Sequence, residues 1–185
     1  MMSGARLESL TAIEAALWRE LAAAAHDARH GWRRLVLATR AGDTADARTL
    51  VLRELDADER TLLFYTDARS AKVMQIADRP TGTLVAWCAA LSWQLRMRSR
   101  LEVQAEGLAV SSRWARLALT PSAQDYLAPA APGTPIEPGF VPLPAGRTHF
   151  ALLSARVESI DWLELGERVH RRASFDAAGG RWLVP

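Results

Sequence analysis

Residues 93–104 read WQLRMRSRLEVQ, and the alternation in this stretch decides the class of fold. Apolar side chains occupy every second position apart from Ser99, and polar side chains occupy the positions between them. Successive side chains of a β-strand point to opposite faces, so the pattern predicts a strand with one apolar and one strongly polar face. Such a strand is typical of an antiparallel sheet that covers a core with one face.

Other segments on both sides of this strand are short, β-branched or aromatic, and separated by polar turns. An antiparallel meander is predicted over RLVLAT (34–39), ARTLVLREL (47–55) and TLLFYT (61–66). Four more strands are predicted in TGTLVAWCA (81–89), HFALLSARVESIDWL (149–163), RVHRRASFD (168–176) and RWLVP (181–185). Many short strands with few helices favour a β-rich α+β fold, a small closed barrel over about 34–185 with peripheral helices.

An N-terminal helix is predicted over about 7–29, where apolar side chains recur at helical spacing. Within this run Thr11 and Glu14 stand in the relation of a capping box.

A second, short helix is predicted over 70–78, ending before Pro80 because the residue before a proline is pushed out of helical geometry. A third helix is predicted over residues 111–127. Residues 128–147 are rich in Pro and Gly and predict a long loop over a surface or a site.

Length and composition describe an ordinary globular chain. With 185 residues, 49% hydrophobic and 24% charged, we expect a single domain over 1–185. The lone Cys88 excludes an intrachain disulfide and fits a reducing compartment. The longest apolar stretch is too short for a bilayer, and MMSGARLESL lacks a signal-peptide pattern, so we expect a cytoplasmic protein without membrane attachment. A net charge of +2 argues against a nucleic-acid partner.

Two features point to an anionic ligand. Lys72 is the only lysine in a chain whose other fixed cations are arginines, which suggests a position that needs a compact ammonium. If the run from Arg168 is a strand, then Arg168, His170 and Arg172 share one face, and such a row suits a phosphate or a carboxylate. The alternative for this row is a solvated outer face, and chance survival is the alternative for Lys72.

Five motifs occur in one order along the chain: RTLVLR (48–53), FYTD (64–67), SAK (70–72), WQL (93–95) and the Trp-x5-Arg-x-His-x-Arg run of 162–172. Together they resemble the pyridoxamine 5'-phosphate oxidase family of FMN-binding split barrels, over about Arg34 to Pro185. The last motif is the most specific, because its spacing is kept and another Trp follows near the C-terminus.

The resemblance implies FMN as cofactor, a homodimer with two sites built across its interface, and no metal. The residues it implies for FMN are Arg48, Thr49, Leu50, Val51, Tyr65, Thr66, Ser70, Lys72, Gln94, Trp162 and Arg172. On the substrate side it implies Arg53, Arg168 and His170, of which Arg168 and His170 are the expected catalytic residues. The chemistry agrees, because cations and hydroxyls suit a phosphate and Gln94 suits the polar edge of a flavin.

Several positions depart from the family pattern. Ala71 stands where the oxidases carry an arginine, and Arg53 stands where a lysine is usual. Arg116, Thr120 and Gln124 replace the Tyr, Arg and Ser that hold the vitamin's phosphate. The sequence therefore predicts a relative of the vitamin B6 oxidase with a different substrate.

The leading prediction is an FMN-dependent oxidoreductase acting on a small anionic molecule. One alternative is a flavin-binding or regulatory protein without turnover. Another is a small barrel that binds single-stranded nucleic acid through Arg96, Arg98 and Arg100, with tryptophans as stacking groups. A haem-binding or deazaflavin-binding relative of the same fold is a further alternative.

Overall fold

The structure is a computed structural model that describes residues 7–136 and 149–185. Helices in these residues are α1 (Leu10–His26), α2 (Ala71–Asp78) and α3 (Leu108–Leu117), with 3-10 turns at Gly31–Arg33 and Pro121–Tyr126. The strands are β1 (Arg34–Ala41), β2 (Thr44–Asp56), β3 (Thr61–Asp67), β4 (Thr81–Cys88), β5 (Trp93–Gln104), β6 (Phe150–Glu164), β7 (Arg171–Asp176) and β8 (Gly179–Leu183).

Six of these strands close into a barrel. Their order is β3-β2-β1-β4-β5-β6, and β6 pairs back onto β3, with every pairing antiparallel. The alternation that predicted β5 holds, because Trp93, Leu95 and Met97 are buried while Arg96 and Arg98 are exposed. The predicted meander and split barrel with peripheral helices are therefore confirmed.

Strand β6 joins the barrel to the last hairpin. Residues 150–156 pair with β3 and residues 160–164 pair with β7, both along the same edge. The other edge pairs with β5, where Arg98 faces Ser159 and Ser99 faces Val157, so Glu158 is an extra residue. Such a bulge bends a strand locally. The hairpin β7–β8 therefore extends from the closed ring.

The strand predicted over 168–176 begins only at Arg171. Glu164 and Arg171 form the last pair between β6 and β7, and the residues between them make the connection. Here Gly166 passes so close to the chain that an added Cβ would lie 2.3 Å from the Val169 carbonyl oxygen. The prediction that Arg168, His170 and Arg172 share a strand face is wrong. Arg168 and His170 lie before Arg171, where the pairing of β6 with β7 begins.

The N-cap of helix α1 lies two residues before Thr11, the capping residue that the sequence suggested. Ser9 is the N-cap, and its Oγ accepts a hydrogen bond from the Ala12 amide at 3.1 Å. The predicted pair of Thr11 and Glu14 lies inside the first turns, so the capping-box prediction is wrong. A serine that satisfies a free amide at the N3 position serves the same purpose.

The third predicted helix is interrupted. Helix α3 ends at Leu117, and Thr120 is extended at φ −118° and ψ 156° before the 3-10 turn that starts at Pro121. The proline explains the break, because it disfavours helical geometry in the residue before it. Residues 128–136 of the predicted loop contain no helix or strand, and the rest of that loop lies outside the described residues.

The core has two parts. The main part fills the barrel and includes one face of α1, where Ile13, Leu17 and Leu21 are fully buried. A smaller part lies under α3 and is formed around Phe150 by the side chains of Val110, Leu117, Tyr126 and Leu152. Cys88 is a buried free thiol. Across the described ranges, no helix has the length and apolar character needed to cross a membrane.

Candidate functional site

A polar cluster lies where β3 ends and α2 begins. Thr66 is near the end of β3, Ser70 is the N-cap of α2, and Lys72 is in the first turn of that helix. The Lys72 Nζ donates to Thr66 Oγ1 at 3.1 Å and to Ser70 Oγ at 2.9 Å. Both hydroxyl residues are buried. Together with Arg48, whose charge acts on Lys72, these residues form what we call the anion cluster.

Lys72 is a partly buried cation without a carboxylate of its own. Within residues 7–136 and 149–185, its Nζ contacts hydroxyl oxygens and no carboxylate at ion-pairing distance. Burial, and then the charge of Arg48, lower the pKa of Lys72 and outweigh the opposite effect of the charges of Asp67 and Asp46. A buried ammonium that is not neutralised disfavours the folded state, and a bound anion removes that cost. The cluster is therefore suited to receive an anion.

Arg48 is held by four neighbours. Its Nη1 donates to the Leu37 carbonyl oxygen at 3.2 Å and to the Thr39 hydroxyl, and its Nη2 donates to Gln75 Oε1 at 2.9 Å. The same Nη2 forms an ion pair with Asp46. These contacts join β1, β2 and α2 and fix the position of the guanidinium beside Gln75 of α2.

The three residues after Arg48 differ in exposure. The side chain of Leu50 is buried in the core, whereas Val51 is half-buried and Thr49 is exposed. Leu50 therefore offers a ligand only its backbone. The expectation that these residues contact FMN stays a prediction.

Arg53 occupies a β-bulge. Leu52 faces Phe64 and Glu54 faces Leu63, so Arg53 has no residue opposite it. Its guanidinium lies over the Tyr65 ring, 5.3 Å from the ring centroid. No described carboxylate lies at ion-pairing distance from Arg53. Bulges re-aim side chains, and this one presents a second cation beside an aromatic ring.

Next to Arg53, the carboxylate of Glu54 interacts with two arginines of α3, Arg113 and Arg116. It accepts hydrogen bonds from Arg113 Nε at 2.9 Å, from Arg113 Nη2 at 2.6 Å and from the Tyr65 hydroxyl at 3.2 Å. Arg116 lies 3.9 Å from the same carboxylate. Burial alone would raise the pKa of Glu54, but the hydrogen bonds and charge of Arg113 outweigh it and lower the pKa. The sequence did not predict these interactions of Glu54. Glu54 and Arg113 are 59 residues apart, and no local pattern connects them.

A second group of predicted residues lies across β5, β6 and β7. Gln94 pairs with Leu163, which pairs on its other side with Arg172. The Arg172 guanidinium donates to Asp161 through Nε at 3.0 Å and Nη2 at 2.7 Å. Arg96 forms an ion pair with the same carboxylate. Burial would raise the pKa of Asp161, but hydrogen bonds from Arg172 and Arg96 lower it.

Trp162 is a core residue in this structure. Its side chain is 0% exposed and packs edge-to-face on Trp93, with ring centroids 5.4 Å apart. The exposed Trp182 and the Arg171 guanidinium cover its outer side. No part of the ring reaches the surface in this arrangement, and the predicted contact of Trp162 with a cofactor stays a prediction.

Arg168 and His170 are exposed in the connection between β6 and β7. Neither makes a hydrogen bond or ion pair with the described residues. They are free to meet a ligand, but the strand ladder does not fix their direction. Their predicted roles stay predictions.

Arg48 and Thr66 face the inner side of the barrel wall, whereas Gln94 faces its outer side. Arg48 and Thr66 alternate in phase with buried residues of β2 and β3, whereas Gln94 alternates with the buried residues of β5. Along β6, the partners of Thr66 and Arg172 are Ala151 and Leu163, twelve residues apart. That separation is about 40 Å of strand contour. Within one chain, Arg48 and Thr66 therefore point away from Gln94 and Arg172.

Residues 15–105 match the family model described as pyridoxamine 5'-phosphate oxidase, FMN-binding domain. The chain is 27% identical over 153 residues to a pyridoxine/pyridoxamine 5'-phosphate oxidase of Caulobacter vibrioides, covering 75% of this chain and 67% of that protein. A protein of the same description from Trichormus variabilis is 35% identical over 72 residues, covering 39% of this chain and 33% of that protein.

Solved structures show the same fold. A pyridoxamine 5'-phosphate oxidase-related, FMN binding protein from Nostoc punctiforme superposes with a TM-score of 0.69 at 24% identity, covering 97% of this chain and all of that one. PhzG from Burkholderia lata superposes with a TM-score of 0.72 at 17% identity, covering 93% of this chain and 92% of that one. Residues 15–105 are therefore similar to the FMN-binding domain of the pyridoxamine 5'-phosphate oxidase family, and the chain has the fold of the solved proteins related to it.

Proposed function

We propose that this chain is a cytoplasmic FMN-dependent oxidoreductase that works as a homodimer on a small anionic molecule. The observation that carries the proposal is the anion cluster, in which a partly buried lysine meets two buried hydroxyls and no described carboxylate. The FMN-binding family supplies the ligand that fits this cluster, because the phosphate of FMN is an anion with several acceptor oxygens.

Residues of the anion cluster would hold the phosphate of FMN. Lys72 supplies a point charge, Thr66 and Ser70 supply hydroxyls, and the first turn of α2 supplies free amides. Ala71 contributes no charge, so the site has fewer cations than the family pattern. Bound FMN supplies the redox chemistry by accepting a hydride from a donor and passing electrons to an acceptor.

A second copy of the chain would complete the site. Gln94 and Arg172 face away from the anion cluster of their own chain, so they reach a bound cofactor only from a neighbouring copy. Apolar side chains are exposed on the same outer face: Val36 at 38%, Trp87 at 45% and Leu183 at 36%. Trp87 pairs with Gln94, and Leu183 pairs with Arg172. An apolar surface beside the polar pair supports an interface there.

Charge supports an anionic substrate. Arg53 has no described carboxylate partner and lies against Tyr65, while Arg168 and His170 are exposed and unpaired in the described residues. One guanidinium suits a carboxylate, and an aromatic face suits a ring. In its solved structure PhzG is in complex with tetrahydrophenazine-1-carboxylic acid, which is in line with a carboxylated substrate. We propose Arg53 and Arg168 as its anchors.

His170 is proposed to hold or move a proton. An imidazole changes charge near neutral pH and both donates and accepts hydrogen bonds. Its neighbour Arg168 would keep the substrate anion within reach. The protein's part in the reaction is therefore orientation, charge and one proton.

A flavin-binding protein without turnover is the second candidate. It is favoured by the contacts of Arg113 and Arg116, which are directed at Glu54 and leave α3 without a free cation for a substrate phosphate. Failure of every electron donor to reduce bound FMN would favour this candidate.

The first experiment is the visible absorption spectrum of the purified protein, with the released chromophore identified by mass. The protein is measured again after addition of FMN. A flavin spectrum, native or restored, is the expected result and makes a screen of electron donors worthwhile. Absence of binding at saturating FMN would overturn the proposal and leave the anion cluster for another ligand.

A further inference from the structure

The guanidinium of Arg48 is occupied by protein atoms on both of its terminal nitrogens. Three of its partners, Leu37, Thr39 and Gln75, are neutral. The fourth is the carboxylate of Asp46, whose Oδ2 lies 2.5 Å from Arg48 Nη2. Arg48 therefore presents to a ligand a surface that already carries a negative charge.

Asp46 is fixed in this position from two sides. It precedes Arg48 by two residues in β2, so both side chains point to the same face. Gln75 Nε2 also donates to Asp46 Oδ2 at 2.9 Å. The hydrogen bonds from Gln75 and Arg48 lower the pKa of Asp46, so it is ionised at neutral pH. The charge of Lys72 also acts on this carboxylate.

Exposure distinguishes Asp46 from Arg48. The Asp46 side chain is 46% exposed and the Arg48 side chain 18%. Asp46 can therefore rotate into solvent without disturbing the packing, whereas Arg48 stays held by Leu37, Thr39 and Gln75. A phosphate that approaches Arg48 seeks the same donors as Asp46 and carries the same sign of charge.

We propose that Asp46 is an internal competitor for the phosphate of the ligand, occupying Arg48 in the free protein and lowering the affinity of the anion cluster for a dianion. The inference rests on the proposed function, because it assumes that FMN is the phosphate-bearing ligand. It assigns to Asp46 an effect on affinity opposite to the effects of Arg48 and Lys72, because a carboxylate repels the phosphate that these cations attract.

The test compares FMN with riboflavin, which lacks the phosphate. Both are titrated into the full-length wild-type chain and into Asp46→Asn by following flavin fluorescence. Removal of one nearby negative charge is expected to tighten FMN binding roughly tenfold. Riboflavin binding is expected to stay unchanged, because riboflavin has no phosphate for which Asp46 could compete.

Asp43→Asn is the matched control. Asp43 lies in the turn between β1 and β2, is exposed, and its side chain makes no hydrogen bond or ion pair with the described residues. The substitution makes the same change in net charge without touching Arg48, so FMN affinity should stay at the wild-type value. Asp46→Ser is a second variant that removes the charge with a smaller side chain and should behave like Asp46→Asn.

Two outcomes would overturn the inference. If wild type binds FMN and Asp46→Asn binds it no more tightly, or more weakly, then Asp46 only orients Arg48. If neither protein binds FMN, the proposed function fails together with the inference. If only Asp46→Asn binds FMN, the inference is supported in its strongest form, because the carboxylate then decides whether the cluster accepts a phosphate.

Discussion

Asp161 and Arg172 form a two-point ion pair across neighbouring strands, with Nε to Oδ1 at 3.0 Å and Nη2 to Oδ2 at 2.7 Å. Arg172 was expected to face a ligand, and the structure shows that its guanidinium is already oriented by a carboxylate on β6. Arg96 on β5 forms an ion pair with the same carboxylate, so Asp161 links three strands. Both stability and ligand binding should respond to this carboxylate.

Asp161→Asn should lower the free energy of unfolding by about 1 kcal/mol at neutral pH, because it weakens a partly exposed pair. The folded-state pKa of Asp161 is lowered, so its contribution is present above the ordinary carboxyl pKa of about 3.9 and is lost as pH falls through the folded pKa. Denaturant unfolding at several pH values should therefore show a difference from wild type that disappears in acid. Glu158→Gln, an exposed change on the same strand, is the control; a pH-independent difference would contradict the assignment.

Lys72→Met should weaken FMN binding roughly tenfold or more while leaving riboflavin binding unchanged, because it removes the point charge from the anion cluster. Fluorescence titration with both flavins measures this. Arg79→Met removes an exposed cation just after α2 and should have no effect. Equal weakening of both flavins would mean that Lys72 does not contact the phosphate.

The stability of the Lys72 variant should change in a defined direction with pH. The folded-state pKa of Lys72 is lowered, so the unfolded chain binds more protons between that pKa and the ordinary lysine value of about 10.4. The free energy of unfolding of the wild-type protein should therefore include a term that increases with pH over this window. The Lys72→Met protein should lack this term. Identical alkaline profiles for the two proteins would contradict the burial of this cation.

Trp162→Phe should lower the free energy of unfolding by roughly 1–3 kcal/mol, because the ring is wholly buried and a smaller ring leaves a cavity. FMN affinity should stay at the wild-type value, since the ring does not reach the surface. Trp182→Phe, at a ring that is 47% exposed, should cost less. Strong loss of FMN binding without loss of stability would show instead that Trp162 contacts the cofactor.

Mixing of inactive subunits tests whether the site is shared. Lys72→Met and Arg172→Ala chains are co-expressed with different affinity tags. If Lys72 and Arg172 of one site come from different chains, mixed dimers contain one intact site, and about a quarter of all sites should bind FMN tightly. No recovery in isolated mixed dimers would place both residues of a site in one chain.

His170→Ala should reduce turnover by roughly 100-fold or more while FMN stays bound, because a positioned proton donor or acceptor contributes on that order. Steady-state rates and the flavin spectrum are measured together once a donor is found. His26→Ala, at the end of α1, is the control and should leave both unchanged. Unchanged turnover in His170→Ala would exclude the role.

The local sequence pattern was enough to predict most of the fold. Alternation identified β5, and β-branched runs identified β1, β2 and β3, because the side-chain period of a strand is a property of the strand itself. The predictions were less accurate at ends, as at Ser9 for α1 and at Arg171 for β7. The end of a helix or strand depends on which groups form hydrogen bonds with its last backbone amides and carbonyls. Those groups belong to segments that the tertiary fold brings next to it.

The sequence by itself determined the strand content, the similarity to the FMN-binding domain family, and the position of the lone lysine in a phosphate-type motif. Tertiary structure alone decided that Trp162 is covered by Trp182 and Arg171, that Asp161 orients Arg172, and that Asp46 occupies Arg48. The physical reason is that alternation tells which face a side chain takes but not which strand lies beside it. In a chain rich in arginine, many ion pairs are possible in principle, and only strand register selects those that form.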